Sequence, residues 1–226
     1  MKQINKYIVE RLHINKDTAN YYNYHPKTRD ELKELVNKLI NERGNDADLN
    51  DIDTSEITDM SELFYDSKFN GDISEWNVSN VTDMNGMFWD SSFNGDISNW
   101  DVSNVEDIRG MFRNAKFNGD LSNWDVSKVK NMRVMFSGSS FTGEHGDISN
   151  WDVSNVEDMY VMFWNSSFNG DISNWDVSNV KNMSSMFEYS KFTGDISNWD
   201  VSNVENMWHM FKDSPLEKNP PKWYKN

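Results

Sequence analysis

The sequence predicts a repeat solenoid with one short parallel strand and one short helix in each 24-residue coil, about seven coils, and a helical cap at the N-terminal end. Two observations carry this reading. The string "GDISNWDVSNV" at 95–105 returns unchanged at 146–156, 170–180 and 194–204, and a fixed period of roughly 20–50 residues marks units that bury their apolar faces only by stacking on one another. The large apolar residues keep the same period: tryptophans stand at Trp76, Trp100, Trp124, Trp151, Trp175, Trp199 and Trp223, every step being 24 residues except one of 27. The longer step has a visible cause, "FTGEHGD" (141–147) in place of the usual "FNGD".

Within one coil the frame is Ile97, Trp100, Val102, Val105, Ile108, Met111, Phe112 and Phe117. The spacing Ile-x-x-Trp-x-Val-x-x-Val follows the L-x-x-L-x-L frame of a leucine-rich repeat. Trp100 and Val102 share a parity, so a short strand points both inward while Asn99, Asp101 and Ser103 point out. Val105, Ile108, Met111 and Phe112 follow at helical spacing, which predicts one or two helical turns. Ser103 with Glu106, Ser154 with Glu157, and Ser202 with Glu205 read as capping boxes. The Asn-Gly of "FNGD" reads as a tight turn at positive φ. All thirteen phenylalanines and twelve of the thirteen methionines occupy repeat positions, so they are read as core and not as a cofactor box.

The array is bounded by atypical coils, as a solenoid needs at ends that would otherwise expose core. Stepping back from Trp76 reaches Ile52, and stepping forward from Trp199 reaches Trp223 with Leu216 in place of phenylalanine. The domains are therefore 1–46, a helical cap or docking segment; 47–215, the solenoid; and 216–226, a degenerate capping coil. In the first segment Ile4, Ile8 and Leu12 form one helical stripe, and Tyr21, Tyr22 and Tyr24 follow. A second helix starts at Thr28, with Glu31 completing a capping box, carries Leu32, Leu35, Val36, Leu39 and Ile40 on one face, and ends at Gly44.

Composition excludes several functions. There is no cysteine, hence no disulfide or thiolate metal site. No apolar run reaches the length of a membrane span, and Glu10 and Arg11 interrupt the place of a signal peptide's apolar centre. A cytoplasmic or virion-associated location is thus favoured over secretion. Residues 1–45 carry nine Lys or Arg against six Asp or Glu, a net +3, which leaves −18 on the rest of a chain of net charge −15. Such a body repels nucleic acid and anionic lipid, both of which are bound through Lys and Arg. The four histidines do not recur with the period, no base is paired with any serine, and a uniform carboxylate ladder lacks the two unlike environments that acid–base catalysis requires. The reading is non-enzymatic, with no cofactor and no metal site. Ca²⁺ on the carboxylate ladders is the weaker alternative to ladders held by hydrogen bonds.

Candidate partner-binding residues fall in two sets. Asp101, Asp125, Asp152, Asp176 and Asp200 form a ladder outside the strands. Trp89, Arg109, Arg113, Arg133, Tyr160 and Trp164 vary from coil to coil on the helical, convex side, and aromatic and arginine side chains are the usual anchors of interfaces. The motif "FNGDISNWDVSNVED" (93–107), closed by Met111 and Phe112, resembles the BspA-type leucine-rich repeats of mycoplasma and other bacterial surface proteins and of phage-encoded proteins. The resemblance covers 48–212. It implies a parallel-stranded solenoid that binds proteins, often as an adhesin. The expected function is protein–protein recognition or scaffolding by the solenoid; the alternative is a structural or packaged component of a virus particle or cell surface, stabilised by cations.

Overall fold

Helix α1 (Arg29–Arg43) forms where the sequence places it. In the computed structural model, which describes residues 22–225, Thr28 adopts an extended conformation and its Oγ1 accepts the Glu31 N–H at 3.3 Å. The Glu31 carboxylate turns back to accept the Lys27 N–H at 2.7 Å, so the box closes one residue earlier than Thr28. Gly44, at φ 92°, ends the helix with its N–H on the Ile40 carbonyl. Leu32, Val36 and Leu39 are fully buried in an apolar core continuous with that of the repeats. Ile4, Ile8, Leu12 and Tyr21 lie outside the described residues.

From Asp48 the chain builds seven units, numbered here by the residue at the tryptophan position: Ile52 in unit 1, then Trp76 through Trp199 in units 2 to 7. Parallel bridges join Asp59 to Asp83, Asp83 to Asp107, Asp107 to Asn131, Asn131 to Asp158, Asp158 to Asn182 and Asn182 to Asn206. Each unit thus lies beside the next, at corresponding positions. Inside, like packs on like: Phe64, Phe88, Phe112, Phe136, Phe163 and Phe187 form a column with ring centroids 5.5–5.7 Å apart. A second phenylalanine in units 1 to 6, such as Phe93 or Phe117, leans on the first, at 4.5 Å in these two. Each repeat-position indole N–H is satisfied by the preceding unit, as when Trp124 Nε1 donates to the Ile97 carbonyl at 3.1 Å. The three-residue insertion leaves this register intact, for Trp151 Nε1 reaches the Leu121 carbonyl at 3.0 Å.

The local structure of a unit differs from the strand and helix expected. Among the described residues, α1 and a 3-10 turn at Pro215–Glu217 are the only helices, and the bridges are isolated ones. Trp100 and Val102 are buried as expected, but by turns: the Trp100 N–H closes on Ile97 and the Val105 N–H on Val102. The bridge lies further on, at Asp107. Over Ile108–Asn114 the backbone alternates. The N–H groups of Gly110, Phe112 and Asn114 cross to the carbonyls of Arg133, Met135 and Ser137 in the next unit, while those of Met111, Arg113 and Ala115 close three-residue turns within their own. A spacing of three apolar positions is shared by helices and by such chains of turns, which is why it read as helical. Continuing a helix is blocked by left-handed residues at Gly110 (φ 59°) and Asn114 (φ 52°), repeated in each unit.

Two further expectations are corrected. The repeated serines are not helix caps: Ser103 gives both its N–H and its hydroxyl to Asp101 Oδ1, at 3.2 and 2.6 Å, and Glu106 pairs with Lys130 across the stack. The same holds for Ser154 on Asp152, with Glu157 paired to Lys181, and the Ser202 N–H lies on Asp200. The aspartate side chain, which can mimic a backbone turn by accepting the N–H two residues on, is the organising group. Nor is the glycine of "FNGD" a positive-φ residue. It is needed for close approach: a Cβ on Gly95 would meet the Phe93 ring at 2.8 Å and the Gly71 carbonyl at 3.1 Å.

Candidate functional site

Three Asp or Asn side chains per unit fold back on the chain. In unit 3 these are Asp96 on Ser98, Asp101 on Ser103 and Asp107 on Arg109. The outer ladder Asp101, Asp125, Asp152, Asp176 and Asp200 is exposed throughout, and every member accepts the N–H of the serine two residues later. These donors hold the carboxyls of Asp125, Asp176 and Asp200 below the usual carboxylate range. The ladder is therefore a row of local hydrogen-bonded turns. Among the described residues no group of three His, Asp or Glu converges as a metal cage.

One carboxylate of a second row behaves oppositely. Asp83 lies on the bridge ladder between Asp59 and Asp107, and burial, followed by the repulsion of those two carboxylates, lifts its pKa despite the Asn85 N–H that it accepts. Asparagine already stands at this position in units 4, 6 and 7, at Asn131, Asn182 and Asn206. A carboxyl whose folded pKa is raised costs stability once it ionises, and the cost vanishes as pH falls through the folded value. Asp83→Asn is thus expected to raise the melting temperature at neutral pH, with the gain shrinking on acidification. A calorimetric pH series on both proteins measures it; a gain that grows in acid would contradict the assignment.

The variable residues come together more closely than their scatter in sequence suggests. The Arg113 guanidinium lies over the Trp89 ring, 4.3 Å from its centroid, and Tyr65 meets the same indole edge-on at 5.6 Å. Arg133 lies over Tyr160 at 4.5 Å while its Nη1 donates to Asp158 at 2.9 Å. Trp164 meets Tyr189 edge-on at 6.0 Å, and Lys212 lies over Tyr189 at 5.9 Å. Arg109 is turned onto Asp107 in its own unit at 2.7 Å. Among the described residues, Arg113 has no salt bridge. Trp89, Arg113, Arg133, Tyr160 and Trp164 are half-buried, with Tyr65 and Tyr189 near half exposed. No hydrogen bond or ion pair among the described residues links this set to the Asp101 ladder. There is no helix beneath it, contrary to expectation; the side chains project from the turn chain that follows each bridge.

Tyr65 and Tyr189 were not among the expected residues. Tyr65 was within reach of the register, since it stands as far from Ile52 as Trp89 does from Trp76. Tyr189 was not, because it occupies a left-handed position (φ 59°) filled elsewhere by Asp90, Asn114 and Gly138. Two β-branched residues are also left-handed, Val134 (φ 51°) and Val161 (φ 59°), a conformation that costs an L-residue about 1–2 kcal/mol. They directly follow Arg133 and Tyr160.

Among the described residues no helix is long and apolar enough to cross a membrane. No curated protein and no solved structure matches the chain. A family described as "Mycoplasma protein of unknown function, DUF285" matches it over residues 31–145 and 139–225. These matches span nearly all of the repeat array and its N-terminal helix, and the chain belongs to that family.

Proposed function

We propose that the chain is a solenoid of the BspA-type leucine-rich-repeat kind that acts, without catalysis, as a protein-recognition module, and that the variable face carries the recognition. The observation that supports this most is the pairing of cation with ring along that face: Arg113 over Trp89 and Arg133 over Tyr160. Exposed pairs of this kind contribute only about 0.5–1 kcal/mol to the fold, yet they hold large anchoring side chains in one rotamer and so lower the ordering cost of an interface. The core register needs none of these residues.

The test compares wild type with a triple variant, Trp89→Ala, Tyr160→Ala and Trp164→Ala, in affinity capture from the source organism. The variant is expected to melt within a few degrees of wild type and to lose one or more partners. Equal recovery of every wild-type partner by the well-folded variant would refute recognition by this face.

A further inference from the structure

The inter-unit hydrogen bonds of the turn chain run one way. Met183, Ser185, Phe187 and Tyr189 donate their N–H groups to Asn206, Trp208, Met210 and Lys212, and earlier units do the same. One edge of the turn chain is therefore all donors and the other all acceptors. At the acceptor edge, in unit 1, α1 packs against the row and meets one of its carbonyls: Arg29 Nε donates to the Ser61 carbonyl at 2.7 Å, where a preceding unit would have donated, while Lys33 takes the neighbouring Glu62 carbonyl. At the donor edge, in unit 7, only the last group is met, the Asp213 N–H by Glu217 Oε2 at 3.1 Å. The N–H groups of Met207, His209 and Phe211 have no acceptor among the described residues.

The apolar core is partly uncovered beside this row, although Met210 and Phe211 themselves are buried, Phe211 under Tyr224 with ring centroids 4.9 Å apart. Val201, Val204 and Met207 are half-buried, whereas Val177, Val180 and Met183, their equivalents one unit earlier, are 1% exposed or less. A pocket of about 380 Å³ lies beside the open row, lined by His209, Phe211, Lys212, Glu217, Pro220 and Tyr224. Trp223 supplies the stacked indole of a further unit, 6.5 Å from Trp199, and Tyr224 closes on Phe211 at 4.9 Å, but nothing described supplies its carbonyls.

We propose that this edge binds an extended segment of a partner polypeptide, which presents main-chain carbonyls to Met207, His209 and Phe211 and lays apolar side chains on Val201, Val204 and Met207. Each earlier donor row shows what the edge accepts, because a backbone of this kind fills it. Two copies of the chain do not satisfy it. Joined edge to edge by a twofold axis they would set donors against donors, and head to tail they meet an acceptor edge against which α1 is packed. This is addition of a strand to an open edge, made selective by its one-way polarity. It does not depend on the variable face.

The probe is a synthetic peptide of residues 179–192, NVKNMSSMFEYSKF, titrated into the ¹⁵N-labelled full chain. Saturable shifts of the Met207, His209 and Phe211 amides are expected, with slower hydrogen exchange at those three positions. A peptide with its two methionines and the adjacent phenylalanine changed to serine should give neither. The proposal is overturned by the absence of saturable shifts up to about 1 mM peptide, by the same shifts with inorganic phosphate alone, by their appearance on concentrating the chain without peptide, or by shifts confined to the Trp89 and Trp164 face.

Discussion

Phe136→Ala is expected to lower stability by about 3–5 kcal/mol, the usual result of emptying a buried aromatic site, and to split the unfolding transition. Phe136 sits at the middle of the aromatic column, with Phe112 and Phe163 at 5.7 Å on either side and Phe141 at 4.5 Å within its own unit. It is fully buried and its neighbours are rings held by their own stacks, so the cavity cannot collapse around the smaller side chain. Because a unit touches chiefly the units before and after it, stability is a sum of nearest-neighbour terms, and weakening unit 4 uncouples the units before it from those after it. Urea unfolding followed by hydrogen exchange resolves this. Wild type should show one cooperative transition; the variant should show two, with amides around Trp100 and Trp175 losing protection at different denaturant concentrations. A single transition with an unchanged midpoint would contradict the nearest-neighbour account.

The second large effect is Gly71→Ala. A Cβ at this position would stand 2.0 Å from the Ala47 carbonyl oxygen and 2.8 Å from the Ala47 nitrogen. Both are backbone atoms held by hydrogen bonds, the oxygen by the Asp72 N–H at 3.0 Å. No rotamer change relieves such a contact, so the cost should reach the upper end of the overpacking range, about 3 kcal/mol or more. The displaced segment leads directly out of α1. Loss of helical circular dichroism should therefore accompany the fall in melting temperature. Gly110→Ala is the control: its φ of 59° is unfavourable for alanine, but the added carbon meets nothing closer than 3.4 Å, and a cost of about 1 kcal/mol is expected. Equal effects of the two substitutions would refute the close-approach role of Gly71.

How much of this was legible in the sequence depends on what each residue type encodes. The period, the buried set and the helix from Thr28 to Gly44 were readable because they rest on side-chain chemistry: apolar groups at fixed spacing, a hydroxyl cap, a glycine stop. The path of the backbone within a unit was not. Ile108, Met111 and Phe112 have the spacing of a helix, and nothing in their identity announces that the N–H groups between them alternate between two units. That alternation is set by residues at positive φ, and in this chain they include Val134, Val161 and Tyr189 as well as Gly110 and Asn114, so no composition rule finds them. The serines were given the role that belongs to the aspartates because both residues cap, and sequence alone does not say which one accepts. The candidate face fared better. Arg113 and Trp89, and Arg133 and Tyr160, each depart from the repeat in sequence, and the stack brings each pair into contact.

The insertion at 142–146 shows that chain length and stack geometry are independent here. With three added residues, the Thr142 N–H still meets Asn118 Oδ1 at 2.9 Å and Phe141 still stacks on Phe168 at 5.9 Å. The extra loop, with Glu144 and His145 exposed, is extruded without a shift in either flanking unit. Each "FNGD" corner is by the same logic a point where a tag, an epitope or a foreign loop can be spliced in, one per unit and evenly spaced, making the molecule a ruler onto which sequence can be mounted at chosen heights.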